Sequence, residues 1–452
     1  MFIPLLLNTR NMKNKIILSG ILILTFLNTT AQQWDYVGDP GFAPSAGNIA
    51  MALDSSEVPY VAVKESSASP KASVWKYDQN TWVRFGPPEF SDHQALDITM
   101  CISSVDSVFV GFREQSNSDK VSVMKYDGAN WGYVGGQGVS MGEALSLNMK
   151  LYQGSPYVSF IDGTVNDKAT VMKFNGTSWE YVGVQGFSIG AVGAPSLDIY
   201  NGAPYITFSD AAVGNKLSVM RFDGFNWEFV GAQGITSGNV TDIDLAFDSN
   251  GIAYVSFRDI NLGNKISVMK FNGTNWEYVG PQGISAGSAT DVSIGIDQNN
   301  LPYVGYTDVL NDGKITVKYF NGASWGSIGG TAFTGGAVAW PQLEVVRFGK
   351  HFVAFGGFTG GASVMTYDLS AAIAEHTNSN TFSIFPNPSS DVITIDNSGE
   401  AFENAVIMNL SGQVILSESY ENTIDISEIP NGVYLIKLLT KDGTKHSRFV
   451  KG

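Results

Sequence analysis

The apolar positions of this chain recur in short runs that repeat along most of its length. The pattern is clearest at Ser267–Gly280, SVMKFNGTNWEYVG, where an apolar run, a turn containing Asn-Gly and a run opening on tryptophan follow one another. Asn-Gly between two such runs is a strong β-hairpin signal. Two more apolar stretches, such as IDLAF and AYVSF, precede each hairpin. The pattern therefore predicts four antiparallel strands in every repeat.

The length of the repeat is marked by seven tryptophans that stand 48 or 49 residues apart. They are Trp34, Trp82, Trp131, Trp179, Trp227, Trp276 and Trp325. Four short strands in a period of this length are typical of a β-propeller blade. No helical period extends over a useful window between 32 and 370. We predict an all-β protein whose tryptophans pack between blades, the alternative being a ring of exposed aromatic sugar platforms.

The two ends of the repeat region are out of phase with each other. The region begins with a tryptophan strand that lacks its partner, Trp34–Gly38, and ends with a partner strand that lacks its tryptophan, Ser363–Asp368. Pairing these two strands completes a seventh blade and removes the open edges of a linear array. We therefore predict a seven-bladed β-propeller over 32–370, closed by the N-terminal strand.

Polar residues recur at three places in the repeat. A carboxylate is followed six residues later by lysine in six repeats, as in Asp162 and Lys168, which predicts a cross-strand ion pair rather than a ring of ligand-binding carboxylates. The connections between blades carry Gln137, Gln185, Gln233 and Gln282, which are candidate ligand-binding amides or partners of the loop backbone. The first strands carry Asp97, Asn148, Asp198, Asp244 and Glu344, with Ser293 at the same place in another repeat. We predict that these residues line a solvated central channel, in preference to a cation site.

Composition and missing motifs narrow the classes of function. The formal net charge is −15, which disfavours sequence-independent nucleic-acid binding. A single cysteine, Cys101, excludes an internal disulfide framework and a cysteine-rich metal site. Only His93 and His351 lie within the repeats, and no nucleophile elbow, HExxH motif or phosphate-binding glycine loop occurs. We predict no cofactor, no resident metal and no catalytic residue, and we favour a non-enzymatic role.

The N-terminus has the order of an export signal. Lys13 and Lys15 precede the apolar run Ile16–Leu27, and Thr29-Thr30-Ala31 supplies small residues for cleavage before Gln32. The run is too short for an ordinary membrane span. We predict a signal peptide over 1–31, with Met12 as a plausible start, and no transmembrane segment in the mature chain. The alternative is a buried N-terminal strand.

After Asp368 the repeat stops, and 371–380 reads as a linker before a segment of short strands and turns over 381–452. This segment contains Phe385-Pro386-Asn387-Pro388, Ser411-Gly412, Ile429-Pro430-Asn431-Gly432-Val433-Tyr434 and Phe449-Val450-Lys451. In these residues it resembles the type A C-terminal sorting domain of type IX secretion, a family of Bacteroidota. The resemblance implies an immunoglobulin-like β-sandwich that takes its cargo across the periplasm and outer membrane. The alternative is an adhesive module of the same fold.

The repeats themselves are only loosely similar to kelch repeats, because the paired glycines after the second strand are absent, and no site is carried over from that family. Repeat symmetry, export signals and missing catalytic motifs favour a cell-surface or extracellular binding module. Its ligand would be a glycan or another protein, and the type IX secretion machinery would be a second partner. The alternatives are a secreted polysaccharide-processing hydrolase or lyase and a structural component of the envelope.

Overall fold

The structure is a computed structural model, and it describes 33–44, 47–65, 69–346, 350–357, 360–368, 382–396, 404–409, 414–419, 422–440 and 443–452. The predicted signal peptide, the linker and Gly412 lie outside these residues. The described chain is almost entirely β, and its only helices are five single-turn 3-10 helices. They span Gln115–Asn117, Gly163–Val165, Ala211–Val213, Ile260–Leu262 and Val309–Asn311.

The described residues from Asp35 to Asp368 form seven antiparallel sheets, named here A to G. Sheet A contains β1 (Asp35–Tyr36), β2 (Ala43–Pro44), β27 (Ala339–Val345), β28 (Lys350–Gly356) and β29 (Gly361–Asp368). Sheet B contains β3 (Ala50–Leu53), β4 (Pro59–Glu65), β5 (Lys71–Asp78) and β6 (Thr81–Arg84). Sheet C contains β7 (Ala95–Ile102), β8 (Val108–Glu114), β9 (Lys120–Tyr126) and β10 (Trp131–Tyr133).

The remaining four sheets of this region repeat the same strand order. Sheet D contains β11 (Ala144–Tyr152), β12 (Ser155–Asp162), β13 (Lys168–Phe174) and β14 (Trp179–Tyr181). Sheet E contains β15 (Val192–Tyr200), β16 (Ala203–Asp210), β17 (Lys216–Phe222) and β18 (Trp227–Phe229). Sheet F contains β19 (Val240–Phe247), β20 (Ala253–Asp259), β21 (Lys265–Phe271) and β22 (Trp276–Tyr278). Sheet G contains β23 (Ala289–Ile296), β24 (Pro302–Asp308), β25 (Lys314–Phe320) and β26 (Trp325–Ser327). These repeated four-stranded sheets fit a β-propeller.

The turn between the third and fourth strands shows how the local sequence forms the hairpin. In sheet D, the Asn175 side-chain Oδ1 accepts hydrogen bonds from the backbone N–H groups of Thr177 and Ser178, at 3.0 and 2.9 Å. Gly176 adopts a φ of +99°, which only glycine reaches without strain. The Asn-Gly pair therefore closes the turn by two mechanisms, an Asx contact and a left-handed backbone.

The tryptophan that follows this turn bonds its sheet to the preceding one in most of the repeats. Trp227 Nε1 donates to the Val182 carbonyl of the previous sheet at 2.7 Å, and its ring stacks on Phe187 with centroids 4.1 Å apart. Gly183, which follows Val182, has a φ of +76°, and a Cβ there would lie 3.1 Å from Trp227 Cδ1. The predicted packing role of the tryptophans is therefore confirmed for the copies with this bond. These are Trp34, Trp82, Trp179, Trp227, Trp276 and Trp325.

The N-terminal strand joins the last sheet. Asp35 pairs with Thr366 and Tyr36 with Met365, so β1 becomes the fourth strand beside β29. Trp34 Nε1 donates to the Ile328 carbonyl beside sheet G at 3.1 Å, and Trp82 of sheet B donates to the Val37 carbonyl at 2.6 Å. Sheet A, completed in this way, therefore bonds to sheet G through Trp34 and to sheet B through Val37.

The first strands of the seven sheets also contact one another in cyclic order. β3 contacts β7, β7 contacts β11, and the series continues through β15, β19, β23 and β27, which contacts β3. In six of these strands, from β7 to β27, a β-bulge interrupts the register with the second strand. The bulge residue has positive φ in each case, namely Asp97, Ser146, Ala194, Asp242, Asp291 and Trp340.

The C-terminal segment forms two further antiparallel sheets. One contains β30 (Ser383–Phe385), β31 (Val392–Asp396) and β34 (Thr423–Asp425). The other contains β32 (Asn404–Asn409), β33 (Val414–Ser419), β35 (Gly432–Thr440) and β36 (Gly443–Lys451). A single apolar cluster that includes Ile393, Ile407, Ile436 and Phe449 contains residues of both sheets.

Candidate functional site

The carboxylates that precede the predicted lysines are buried where the second and third strands of each sheet are joined, at the end of the sheet named here the hairpin end. Asp162 and Asp210 retain only 2% and 1% of their accessible surface. Each carboxylate lies opposite its lysine in register, as Asp162 does with Lys168. None of these lysines comes within ion-pair distance of its partner among the described residues, so the predicted cross-strand ion pair is wrong.

Hydrogen bonds satisfy the buried carboxylates instead. Asp162 accepts bonds from the backbone N–H of Thr164 at 3.0 Å, the hydroxyl of Thr170 at 3.1 Å and Nε2 of Gln185 at 2.8 Å. These donors come from the 3-10 helix, the third strand and the connection to the next sheet. A buried carboxylate requires such partners because desolvation disfavours its charge. The carboxylate therefore holds three segments together, which explains why it recurs.

The four candidate glutamines divide according to this arrangement. Gln137, Gln185 and Gln233 donate their amides to Glu114, Asp162 and Asp210 at 2.9, 2.8 and 2.9 Å. Gln282 is exposed, and its amide makes no hydrogen bond within the part of the chain that the structure describes. The geometry thus gives three of the four amides an internal partner, while their role toward a ligand stays a prediction.

A recurring hydroxyl at the start of the SVMK phrase is a feature that sequence reasoning missed. Thr170 accepts the N–H of Gly186 at 3.0 Å, and Ser218 accepts the N–H of Gly234 at 3.0 Å. Both hydroxyls also donate to the buried carboxylate of their sheet. The strict recurrence of Ser or Thr at this point of the repeat was the available signal, because β-strand formation alone does not require a hydroxyl.

Three of the five predicted channel residues gather around a lysine that sequence reasoning did not single out. Lys150 of β11 lies with Nζ 4.0 Å from Asp198 Oδ1 of β15. Asp198 raises the pKa of Lys150, and Asp244 and Glu344 act on it in the same direction. The side chains of Lys150 and Asp198 remain 41% and 22% accessible. These first strands therefore place Lys150 beside Asp198, where solvent reaches both side chains, and within electrostatic reach of two further carboxylates.

Burial among the first strands raises the pKa values of these carboxyl groups. Desolvation raises the pKa of Glu344 to about 7, with Lys150 opposing and Asp244 adding to the shift. Desolvation also raises the pKa values of Asp198 and Asp244. Within the described residues, no group of three or more His, Cys, Asp and Glu is arranged to hold a metal ion.

The first strands also use polar side chains to bond adjacent sheets. Asp244 Oδ1 accepts the Ser196 hydroxyl at 2.9 Å, and its Oδ2 accepts the Ile294 N–H at 2.9 Å. Asp97, at a bulge, pairs with Arg113 at 3.2 Å instead of joining the Lys150 group. Asn148 is half-buried, and its Oδ1 has no hydrogen-bond partner among the described residues. Asp97 therefore lies apart from the predicted channel residues that raise the pKa of Lys150.

A groove opens at the opposite end of the sheets, where sheets D and E meet. Its volume is about 380 Å³. Aromatic and aliphatic surfaces come from Tyr157, Val182, Pro204 and Phe222, and polar groups come from Lys173, Asn201 and Asp223, with Gly202, Ala203 and Gly224 between them. Concave sites that combine apolar walls with a few polar groups are typical of small-ligand binding.

The basic residue of this groove is held by its own sheet. Lys173 is the register partner of Tyr157, and its Nζ lies 3.1 Å from Glu180 Oε1 on the fourth strand. The same aromatic-and-basic register pair recurs in other sheets. The pairs are Tyr60 with Lys76, Phe109 with Lys125, Tyr205 with Arg221 and Tyr254 with Lys270. The groove is thus built from positions that repeat around the molecule.

His351 occupies the corresponding end of sheet A, where other sheets have proline, valine or alanine. Its side chain is fully buried beside Tyr303, with ring centroids 4.3 Å apart, and neither imidazole nitrogen has a hydrogen-bond partner in the described part of the chain. Burial lowers its pKa to about 4.

Cys101 donates to the Met149 carbonyl at 3.0 Å, and burial raises its pKa to about 12, so its thiol is unreactive.

The predicted sorting residues meet at the C-terminal strand. Asn387 Oδ1 accepts the Val450 N–H at 2.8 Å, and Gly432 pairs in register with Lys451, which is buried. Tyr434 donates its hydroxyl to the Pro430 carbonyl at 2.7 Å and stacks on Phe449. Pro386 and Pro388 flank Asn387, and both follow cis peptide bonds. Asn387, Gly432 and Tyr434 therefore contact β36, the strand that contains Lys451.

Comparison with known proteins identifies this segment. Residues 383–452 match the family of the secretion system C-terminal sorting domain. The predicted resemblance is confirmed, and the chain is secreted through the outer membrane to the cell surface or extracellular space. The sorting domain implies the type IX secretion machinery as a partner. No described helix has the length and apolarity needed to cross a membrane.

Solved structures resemble the repeat region at low sequence identity. A protein of unknown function from Dyadobacter fermentans is 12% identical, with 74% of this chain and 98% of that chain covered and a TM-score of 0.43. A six-bladed fungal lectin from Aleuria aurantia is 16% identical over 66% of this chain and 100% of its own, with a TM-score of 0.44. AofleA from Arthrobotrys oligospora is 12% identical over 67% and 91%, with a TM-score of 0.43. No curated protein matches the chain.

Proposed function

We propose that the chain is an exported seven-bladed β-propeller that binds a glycan at the groove between sheets D and E. The observation that carries this proposal is the groove itself. Tyr157 and Phe222 offer apolar walls to the C–H faces of a sugar ring, while Lys173, Asn201 and Asp223 offer hydrogen-bond donors and acceptors to its hydroxyls. Because glycan ligands present these two kinds of surface together, they suit this lining better than a wholly apolar ligand does.

Three observations support the architecture in this proposal. Seven sheets occur between Asp35 and Asp368, their first strands contact each other in cyclic order, and β1 completes the sheet of β29.

For the C-terminal domain we propose an immunoglobulin-like sandwich, supported by its two antiparallel sheets and by the bond from the Tyr434 hydroxyl to a carbonyl four residues upstream. The N-terminal 1–31 we propose as a cleaved signal peptide on its charge-then-apolar order.

The test is a glycan-array screen of the secreted chain, followed by titration of the best oligosaccharide. We expect Lys173→Ala to weaken binding about ten-fold, the effect of roughly one lost charge-assisted hydrogen bond. The matched control is Lys168→Ala, which lies at the other end of the same strand and makes no ion pair with any described residue. Wild-type affinity in Lys173→Ala, or equal loss in the control, would exclude this groove as the site.

A second candidate is a polysaccharide-processing enzyme, favoured by one observation in the first strands. Glu344, with a pKa raised to about 7, and the carboxylates of Asp198 and Asp244 share a space with Lys150. A carboxyl group whose pKa lies near neutral pH can serve as a general acid or base. Release of products from the oligosaccharides of the same screen, abolished by Glu344→Gln, would replace the binding proposal with this one.

A further inference from the structure

The polar residues of the sorting segment are turned toward its own fold. Asn387 bonds to the backbone on either side of Phe449, accepting the Val450 N–H and donating to the Arg448 carbonyl at 3.3 Å. Ser389 donates its N–H to the Val450 carbonyl at 2.8 Å and accepts the Gly452 N–H at 3.0 Å. These contacts fix the C-terminal strand β36. They leave the side-chain amide of Asn387 engaged within the domain.

An apolar pair remains exposed on the neighbouring sheet. Among the described residues of this domain, the large apolar side chains on the surface are Phe385, Val392 and Val414, at 50%, 44% and 54% accessible. Phe385 of β30 lies directly opposite Thr394 of β31, and Val392 is two residues before Thr394. Side chains two apart on a strand share a face, so Phe385 and Val392 are diagonal neighbours on one face.

Strand alternation assigns that face to the solvent. Ile393 and Ile395, which alternate with Val392 and Thr394, are buried in the core of the domain, and Ile384 packs against the same core. The opposite side of the sheet therefore carries the Phe385–Val392 pair. Among the described residues, β30 is the end strand of its sheet, with β31 as its pairing partner and β36 of the other sheet lying near it.

We propose that the Phe385–Val392 face is the surface on which the type IX secretion machinery recognises this domain. A sorting domain must be bound by that machinery, and an exposed apolar pair can supply the side-chain anchors of such an interface. The Asn387 contacts support this surface indirectly, because they hold in place the chain segment that leads from β30 to β31. This inference is independent of the glycan proposal, since it concerns the C-terminal domain alone.

The experiment follows delivery of the full chain in a host that has type IX secretion. In Phe385→Thr/Val392→Thr, both residues become polar but keep good strand propensity. We expect the surface and medium fraction to fall about five-fold, with accumulation in the periplasm, as expected for loss of an interface anchor. Val414→Thr is the matched control, since it removes an equally exposed valine from the other sheet, and it should be delivered normally.

A folding readout separates recognition from stability. The purified full-length double variant should keep the thermal midpoint of the wild type, whereas Asn387→Ala should lower both the midpoint of the domain and its delivery. Should the double variant be unstable, Thr394→Lys places a charge between the two apolar residues without removing either and should reduce delivery. Normal delivery of both altered chains, or equal loss in Val414→Thr, would overturn the proposal.

Discussion

The two ends of each sheet use their polar residues in opposite ways. At the hairpin end, Asp162 is 2% accessible, and its oxygens are occupied by donors from three segments of the chain. At the groove end, Lys173 and Asn201 line an open space, and Lys173 forms an ion pair with a solvent-exposed glutamate. The most regular polar pattern in the sequence therefore stabilises the fold. The groove instead combines recurring strand positions, such as Lys173, with turn residues such as Asn201.

The largest expected effect tests the structural role of the hairpin end. Asp162→Ala should lower the free energy of unfolding by about 3 kcal/mol, because the donors of Thr170 and Gln185 lose a buried acceptor. Urea denaturation of the secreted chain measures this change. Lys168 lies opposite Asp162 in register and makes no ion pair with it. Lys168→Ala should therefore change the free energy of unfolding by less than about 1 kcal/mol. Equal costs at the two positions would restore the ion-pair interpretation.

The groove end of sheet A contains a buried residue that should make stability depend on pH. Burial lowers the pKa of His351 to about 4 from 6.5, so the unfolded chain takes up the proton first as the pH falls. The stability that neutral His351 provides is complete above pH 6.5 and declines toward pH 4, by up to about 3 kcal/mol.

The control for this prediction is His351→Val, since sheet C has Val108 at the equivalent strand position. Thermal midpoints measured from pH 7 to pH 4 should fall more steeply in the wild type than in the variant. Parallel curves would mean that His351 is already protonated or solvated in the folded protein.

A smaller expected effect on stability distinguishes Gln185, which binds a buried carboxylate, from the exposed Gln282. Gln185→Ala should destabilise the protein by about 1.5 kcal/mol, because the hydrogen bond to the buried Asp162 carboxylate is lost. Gln282→Ala removes an exposed amide without an internal partner and should leave the urea midpoint unchanged. If Gln282→Ala instead weakens ligand binding while Gln185→Ala does not, the free glutamine marks a ligand contact at this end.

The smallest expected effect concerns the exposed ion pair of the groove. Glu180→Gln should alter the free energy of unfolding by less than about 1 kcal/mol, because both side chains remain over one-third accessible and water screens the pair. The measurement is urea denaturation at low and high salt. A larger, salt-dependent loss would show that the groove end also relies on charge for stability.

Much of this architecture could be predicted from periodicity because each repeat contains its own turn signals. Trp34 and Ser363–Asp368 are separated by almost the whole repeat region, yet their mismatched phases predicted the pairing that Asp35 and Thr366 make. The first strands were harder to read. Their β-bulges shift the register, so that Asp97 lies at a bulge while Asp198 and Glu344 lie beyond it. The five predicted channel residues therefore lie at different positions along their strands.

The sequence by itself determined the all-β repeats, the tryptophan contacts and the sorting domain, since these depend on local turns, strand period and motifs. Only the tertiary structure decided which groups become the partners of the charged side chains. Lys168 lies opposite Asp162, yet the burial of that carboxylate and the approach of Gln185 from the next connection assign its partner. Likewise Lys150, unremarkable in its strand, meets carboxylates from three other strands. Side-chain electrostatics depends on distances through space, and residue spacing does not encode them.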